Sequence, residues 1–277
     1  MRQNSVTFLY LLLGSLTAFG PLVTDMYLPA LPAMTESFHT SMPMVQLGLT
    51  FSMIGLAAGQ LLFGPLSDKY GRRPLLLVSM AVFILSTIGC IFSPTIHWFV
   101  ALRLLQGIGA SGGIVISRSV AADKFSGSEL AKAMAIIGAI NGIAPVAAPV
   151  AGGFFTDIIG WQGIFIILLC IGFILLAAEV AYRETLPAAR RSDEGLKRLA
   201  LNFGKVLGNK KFLFYVLQFG CASGVLFGNI ASSPFIMQHY GFSPLVFSAF
   251  FAVNSVAIGI AAALSVKFRR TESATFY

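Results

Sequence analysis

The chain has 277 residues, 56% of them hydrophobic and only 11% charged, with a mean hydropathy of +0.82 and a net charge of +8. Soluble domains carry roughly 25% charged residues, so the composition excludes a soluble enzyme or binding domain and reads as an all-α membrane protein. The basic balance suggests nucleic acid only until its placement is read, and that placement is topological.

A span needs about 20 apolar residues to cross a hydrocarbon core of about 30 Å. Eight stretches qualify in chain order: Val6–Leu28, Val45–Leu66, Leu75–Phe92, Trp98–Ile116, Ala133–Phe155, Ile164–Tyr182, Phe212–Pro234 and Leu245–Val266. The first is too long for the apolar core of a signal peptide and lacks a small-residue cleavage site, so it is read as a retained span. Six spans (1–182) precede a basic linker (183–211), within which Leu196–Val206 is expected as an amphipathic surface helix. Two more spans follow in 212–277.

Of the 19 Lys and Arg, 18 fall in the start of the chain and in alternate loops on one side. The opposite loops hold Glu36, His39, His97, Asp157 and His239 and no Lys or Arg. By the positive-inside rule both termini face the cytoplasm.

Two ionisable side chains break the pattern. Asp25 lies near the outer end of the first span, in Thr24-Asp25-Met26-Tyr27-Leu28-Pro29-Ala30-Leu31-Pro32, and Arg103 lies near the outer end of the fourth. Each sits roughly 4–8 Å inside the boundary. Burying either alone costs about 2.5–3.5 kcal/mol, so mutual pairing is the cheapest arrangement, against snorkelling to the interface as the plainer alternative. A proton and the guanidinium would then compete for the carboxylate. Every other acid lies in a loop or close to a span end, Glu179 among them.

The turn Gly64-Pro65-Leu66-Ser67-Asp68-Lys69-Tyr70-Gly71-Arg72-Arg73-Pro74 joins the second and third spans. Gly64 allows close helix approach, Gly71 a bend closed to other residues, and Asp68 and Arg72 are spaced to pair. In the fifth span Gly138, Gly142, Pro145, Pro149, Gly152 and Gly153 form a small-residue and proline stripe that favours tight packing and kinking. Gly107, Gly109, Gly112 and Gly113 in the fourth read as packing positions, Trp161 at the sixth as an interfacial anchor, and Cys90, Cys170 and Cys221 as small apolar packers. No metal-ligand spacing, cofactor motif, nucleophile–base constellation or phosphate-cradling loop is present, so neither enzyme chemistry nor ATP is expected.

The pattern G-x-L-x-D-x-x-G-R-R at Gly64–Arg73 resembles the cytoplasmic signature of major facilitator superfamily transporters. Asp25–Pro32 is similar to the first-span signature of the Bcr/CflA drug-resistance branch, and Arg103-x-x-Gln106-Gly107 to the fourth-span signature the superfamily associates with proton transfer. The stripe from Gly138 to Gly153 resembles the antiporter signature, with Ala144 and Ala148 standing where Gly is the broader preference, and Glu184-Thr185-Leu186 also resembles the family. Some relatives carry a second acid two turns earlier, near Thr17, which this chain lacks.

The resemblance implies a complete six-helix bundle plus two helices of a second. It implies a bacterial inner-membrane antiporter exporting small, partly apolar drugs of the bicyclomycin or chloramphenicol type against protons, with the bilayer as its other partner. Asp25 and Arg103 would couple protons, and Gly64, Asp68, Gly71, Arg72 and Arg73 would form a gating latch against a span of the second bundle. By the family's pattern four spans are missing beyond Arg270, so a transport-inactive remnant stands as an alternative, as does a proton-coupled metabolite transporter.

Overall fold

The computed structural model describes residues 4–191 and 208–254, with Gly204, Val206 and Ala257. Outside them lie most of the expected helix Leu196–Val206, much of the eighth expected span Leu245–Val266 and the tail beyond it.

Helix boundaries follow caps and breakers. The Ser5 hydroxyl accepts the Phe8 amide (3.2 Å) and opens α1 (Val6–Asp25). Pro29 and Pro32 then force a 3₁₀ turn, Leu28–Ala30, and a short α2 (Leu31–Ser37). Pro43 sits in the first turn of α3 (Met42–Tyr70), which stops at Gly71. There φ is +103°, a conformation that a side chain resists, and α4 (Arg72–Ile91) departs at once. The Thr95 hydroxyl caps α5 (Ile96–Lys124). Next comes α6 (Gly127–Ala181), 55 residues bent at Gly160 (φ +70°). At 1.5 Å per residue it is about 80 Å long, more than twice the membrane core, so its two arms are the expected fifth and sixth spans. Asn209 caps α7 (Lys210–His239), and α8 (Pro244–Asn254) follows.

The first six spans form one bundle. Central α5 packs on α3, α4 and α1, and α6 packs on α1 and α4. The α3–α5 contact is close because glycines face backbone: a Cβ on Gly107 would stand 3.0 Å from the Leu56 amide, and one on Gly55 3.0 Å from the Ile108 amide. This agrees with the packing role expected of Gly107.

At one end the side chains of Phe38, Phe99, Trp161 and Phe165 interlock, with the Trp161 ring 5.2 Å from Phe38 and 6.0 Å from Phe99. Trp161 is therefore not the interfacial anchor expected of it. It is 5% exposed, and its indole N–H donates to the Ser37 hydroxyl (3.1 Å). The bend at Gly160 turns the ring inward. Of the cysteines only Cys90 is a buried packer; Cys170 and Cys221 are exposed on the helix surfaces.

The helices α7 and α8 meet the bundle at the end away from the bases. The Gln46 amide donates to the Ala231 carbonyl (3.0 Å), Gln238 to Glu36 (3.4 Å), and the Ser248 hydroxyl to the Pro149 carbonyl (2.6 Å). Pro234 is the one buried residue of α7 among those described, so the beginning of that helix stands away from the bundle.

Candidate functional site

Between α1, α3, α5, the first arm of α6, α7 and α8 lies a cavity of about 520 Å³. Its walls are mostly apolar: Met53, Leu56, Ile114, Val146, Phe227 and Phe251 contribute, with Asn141 and Asn254 as amides. Asp25 is the one ionisable residue on its lining among the described residues, placed there by the last turn of α1. An apolar chamber with a few fixed polar groups is what a small, partly apolar ligand requires.

Arg103 is fully buried and does not pair with Asp25. The ion pair expected between them is not formed, whereas Arg72 at the other end of the bundle does pair with carboxylates. Instead the Arg103 guanidinium donates from Nη2 to the Val23 carbonyl (3.1 Å), from Nε to the Gly48 carbonyl (3.4 Å), and from Nη1 to Gln106 Oε1. The Gln106 amide passes the chain on to Thr87 (2.7 Å), whose hydroxyl donates to the Phe83 carbonyl (2.7 Å). The guanidinium carbon sits 4.2 Å from the centre of the Tyr27 ring and 5.6 Å from that of Phe165. Backbone carbonyls and ring faces satisfy the cation where a carboxylate was expected. Where relatives carry the second acid, Thr17 is fully buried and 3.1 Å from the Ser117 hydroxyl.

At the basic end a second polar cluster forms around the turn from Gly64 to Pro74. Arg72 pairs with Asp68 (2.5 Å), as its spacing predicts, and also with Asp123 of α5 (2.8 Å), while Nη1 donates to Ser67 (2.7 Å). One carboxylate of Glu184, just beyond α6, accepts the backbone amides of Arg72 and Arg73, both at 3.0 Å, and those of Thr185 and Leu186, also at 3.0 Å. It caps α4 from the segment that follows α6, at the positive pole of the α4 dipole. Arg73 reaches the Val180 carbonyl (2.8 Å), and Asn4 clasps the Arg183 backbone in both directions (2.7 and 3.0 Å). Gly71 is held in this knot, where a Cβ would stand 2.6 Å from a Glu184 oxygen; Gly64 only approaches Val115.

A family description of the Major Facilitator Superfamily matches residues 13–276. The chain belongs to this superfamily. An uncharacterized transporter of the superfamily, YdgK from Bacillus subtilis (strain 168), is 40% identical over 251 residues, covering 89% of this chain and 62% of its own length. A bicyclomycin resistance protein homolog from Haemophilus influenzae is 31% identical over 273 residues, covering 97% of this chain and 68% of itself. The chain thus spans roughly two thirds of the length of these curated relatives. The fold matches a bacterial homolog of the human lysosomal transporter Spinster, solved inward-facing and unoccupied, with a TM-score of 0.73 at 19% identity over 96% of this chain and 64% of that one. A multi-pass membrane protein of a transporter family, rather than an enzyme, is the class these findings give.

Within this superfamily fold the α6 stripe divides by depth. Gly142 and Pro145 line the cavity, whereas Gly152 lies against the Met26 backbone and Gly153 against Pro244 and Ser248. Pro149 lends its carbonyl to Ser248, and Gly138 has open space around it.

Glu179 is the residue that span-end reasoning undervalued. It is fully buried and neither carboxylate oxygen has a hydrogen-bond partner. Its place in the series Leu168, Gly172, Leu175, Glu179, Tyr182, the buried face of the second α6 arm, was the available signal. An unsatisfied buried polar group costs about 1–3 kcal/mol, and more when charged. Glu179→Met should therefore raise the melting temperature of the protein in detergent by several degrees, roughly 2–4 °C for each kcal/mol recovered. A lower melting temperature would show that the carboxyl has a stabilising partner.

Proposed function

We propose that the protein serves proton-driven export of small, partly apolar drugs across a bacterial inner membrane, with both termini in the cytoplasm. The observation that carries the reading is Asp25: one carboxylic acid on the wall of an otherwise uncharged chamber. Kinship with a bicyclomycin resistance protein homolog supports the substrate class, and the clustering of bases at one end supports the orientation.

Asp25 holds either a proton or the polar group of a drug, and loading by one releases the other. Arg103 stays fixed to carbonyls of α1 and α3, which leaves the carboxylate free to take up either. The turn Gly64, Asp68, Gly71, Arg72 and Arg73 acts as a gating latch: its Asp68–Arg72–Asp123 chain holds the start of α4 to the end of α5. In α6, Gly138, Gly142, Pro145, Pro149, Gly152 and Gly153 form the antiporter helix, whose small residues let neighbouring helices slide past it. Protons, not ATP, supply the energy.

Efflux from cells expressing the protein and preloaded with chloramphenicol tests this. Asp25→Asn should reduce drug-dependent proton exchange and efflux by at least about tenfold, the effect of losing one general acid–base group. Undiminished efflux would remove Asp25 from the coupling role.

A further inference from the structure

We propose that the ring of Tyr27 is the counter-group of the Arg103 guanidinium and a positioning residue. It holds the base away from Asp25, so that the carboxylate stays presented to the cavity. The proposal deepens the reading of Asp25 given above and rests on it for its significance, but not for its geometry.

A fully buried guanidinium demands compensation. The three donors engaged by Val23, Gly48 and Gln106 point outward in the guanidinium plane and leave its faces free. A face is covered by the Tyr27 ring at 4.2 Å, well inside the range of a cation–π contact, with Phe165 at 5.6 Å as the lesser partner. Tyr27 is itself fully buried, and its hydroxyl has no hydrogen-bond partner. What Tyr27 contributes here therefore comes from its π face and not from its phenol.

The chain geometry explains how two residues of one segment divide the work. The α-helix ends at Asp25 and the backbone passes through Met26 into the 3₁₀ turn. Asp25 is left on the cavity lining, while Tyr27, two residues on, is delivered into the bundle core. To reach Asp25 the guanidinium must leave the ring and give up its carbonyls. Weakening the ring's attraction shifts Arg103 toward the carboxylate and withdraws Asp25 from the cavity.

The test keeps the shape of position 27 and changes its electronics. Tyr27→Phe, then phenylalanines bearing one, two and three fluorines at that site, remove π density stepwise. The readout is labelling of Asp25 by dicyclohexylcarbodiimide in the purified full chain, mapped by peptide mass spectrometry as the ratio of labelled to unlabelled Asp25 peptide. Tyr27→Phe should label as the wild type does. Labelling should then fall progressively with each fluorine as the paired population rises, by about tenfold at three, the change in equilibrium constant that 1.4 kcal/mol of lost attraction gives. Equal labelling across the series, a full loss already at Tyr27→Phe, or no labelling in the wild type would overturn the proposal. None of these outcomes depends on whether the protein exports drugs, so the two readings fail separately.

Discussion

Glu184→Ala should lower the melting temperature of the detergent-solubilised protein by about 6–12 °C, the expression of about 3 kcal/mol in a chain of this size. The physical reason is the concentration of roles on one carboxylate. It accepts two amides at the start of α4 and two from the chain leaving α6. Removing it orphans four partly buried donors at once, each worth about 1 kcal/mol net when satisfied, and takes a negative charge from the positive pole of a helix.

Glu184→Gln should fall between the two. Its amide oxygen still accepts, but its NH₂ group turns a donor toward donors. Asp68→Ala should cost far less, because Asp68 is half exposed and Arg72 keeps Asp123. Thermal unfolding of the three variants side by side is the check; equal losses would mean that Glu184 acts merely as one more surface charge.

The largest expected effect is at Gly107. Gly107→Leu should yield no folded protein, and Gly107→Ala should destabilise by about 1–3 kcal/mol, the usual cost of overpacking. The obstacle at this position is backbone: a Cβ would meet the carbonyl of Ser52 and the amide of Leu56. Backbone inside a packed helix pair cannot step aside as a side chain end can, so α3 and α5 must separate along their length.

The contrast within the same chain is Gly138, where a Cβ meets nothing within 4 Å. Gly138→Ala should be neutral or stabilise by up to about 1 kcal/mol through helix propensity. Yield of monodisperse protein and its melting temperature decide both. Similar outcomes at the two glycines would show that the α3–α5 contact is looser than it stands.

The hydrophobic runs determined the helices from the first expected span to the seventh and their order, because a bilayer imposes a length that can be read residue by residue. The charged turn at Gly64–Pro74 was equally legible, since the Asp68–Arg72 pair is local and needs only helical spacing.

What the one-dimensional reading could not reach were relations between helices. Matching depth brought Asp25 and Arg103 together on paper, yet depth leaves rotation about the helix axis free. Only the packed bundle decided that Asp25 lines the chamber while Arg103 turns to Val23, Gly48 and Tyr27. Rotation also buried Trp161 and Glu179, which span-end position had placed at interfaces. The Asp123 and Glu184 anchors of this turn come from α5 and the segment just beyond α6, 51 and 112 residues along the chain from Arg72. Local chemistry sets what each segment is; which faces meet is settled by close packing of the whole, a cooperative property that no single stretch carries.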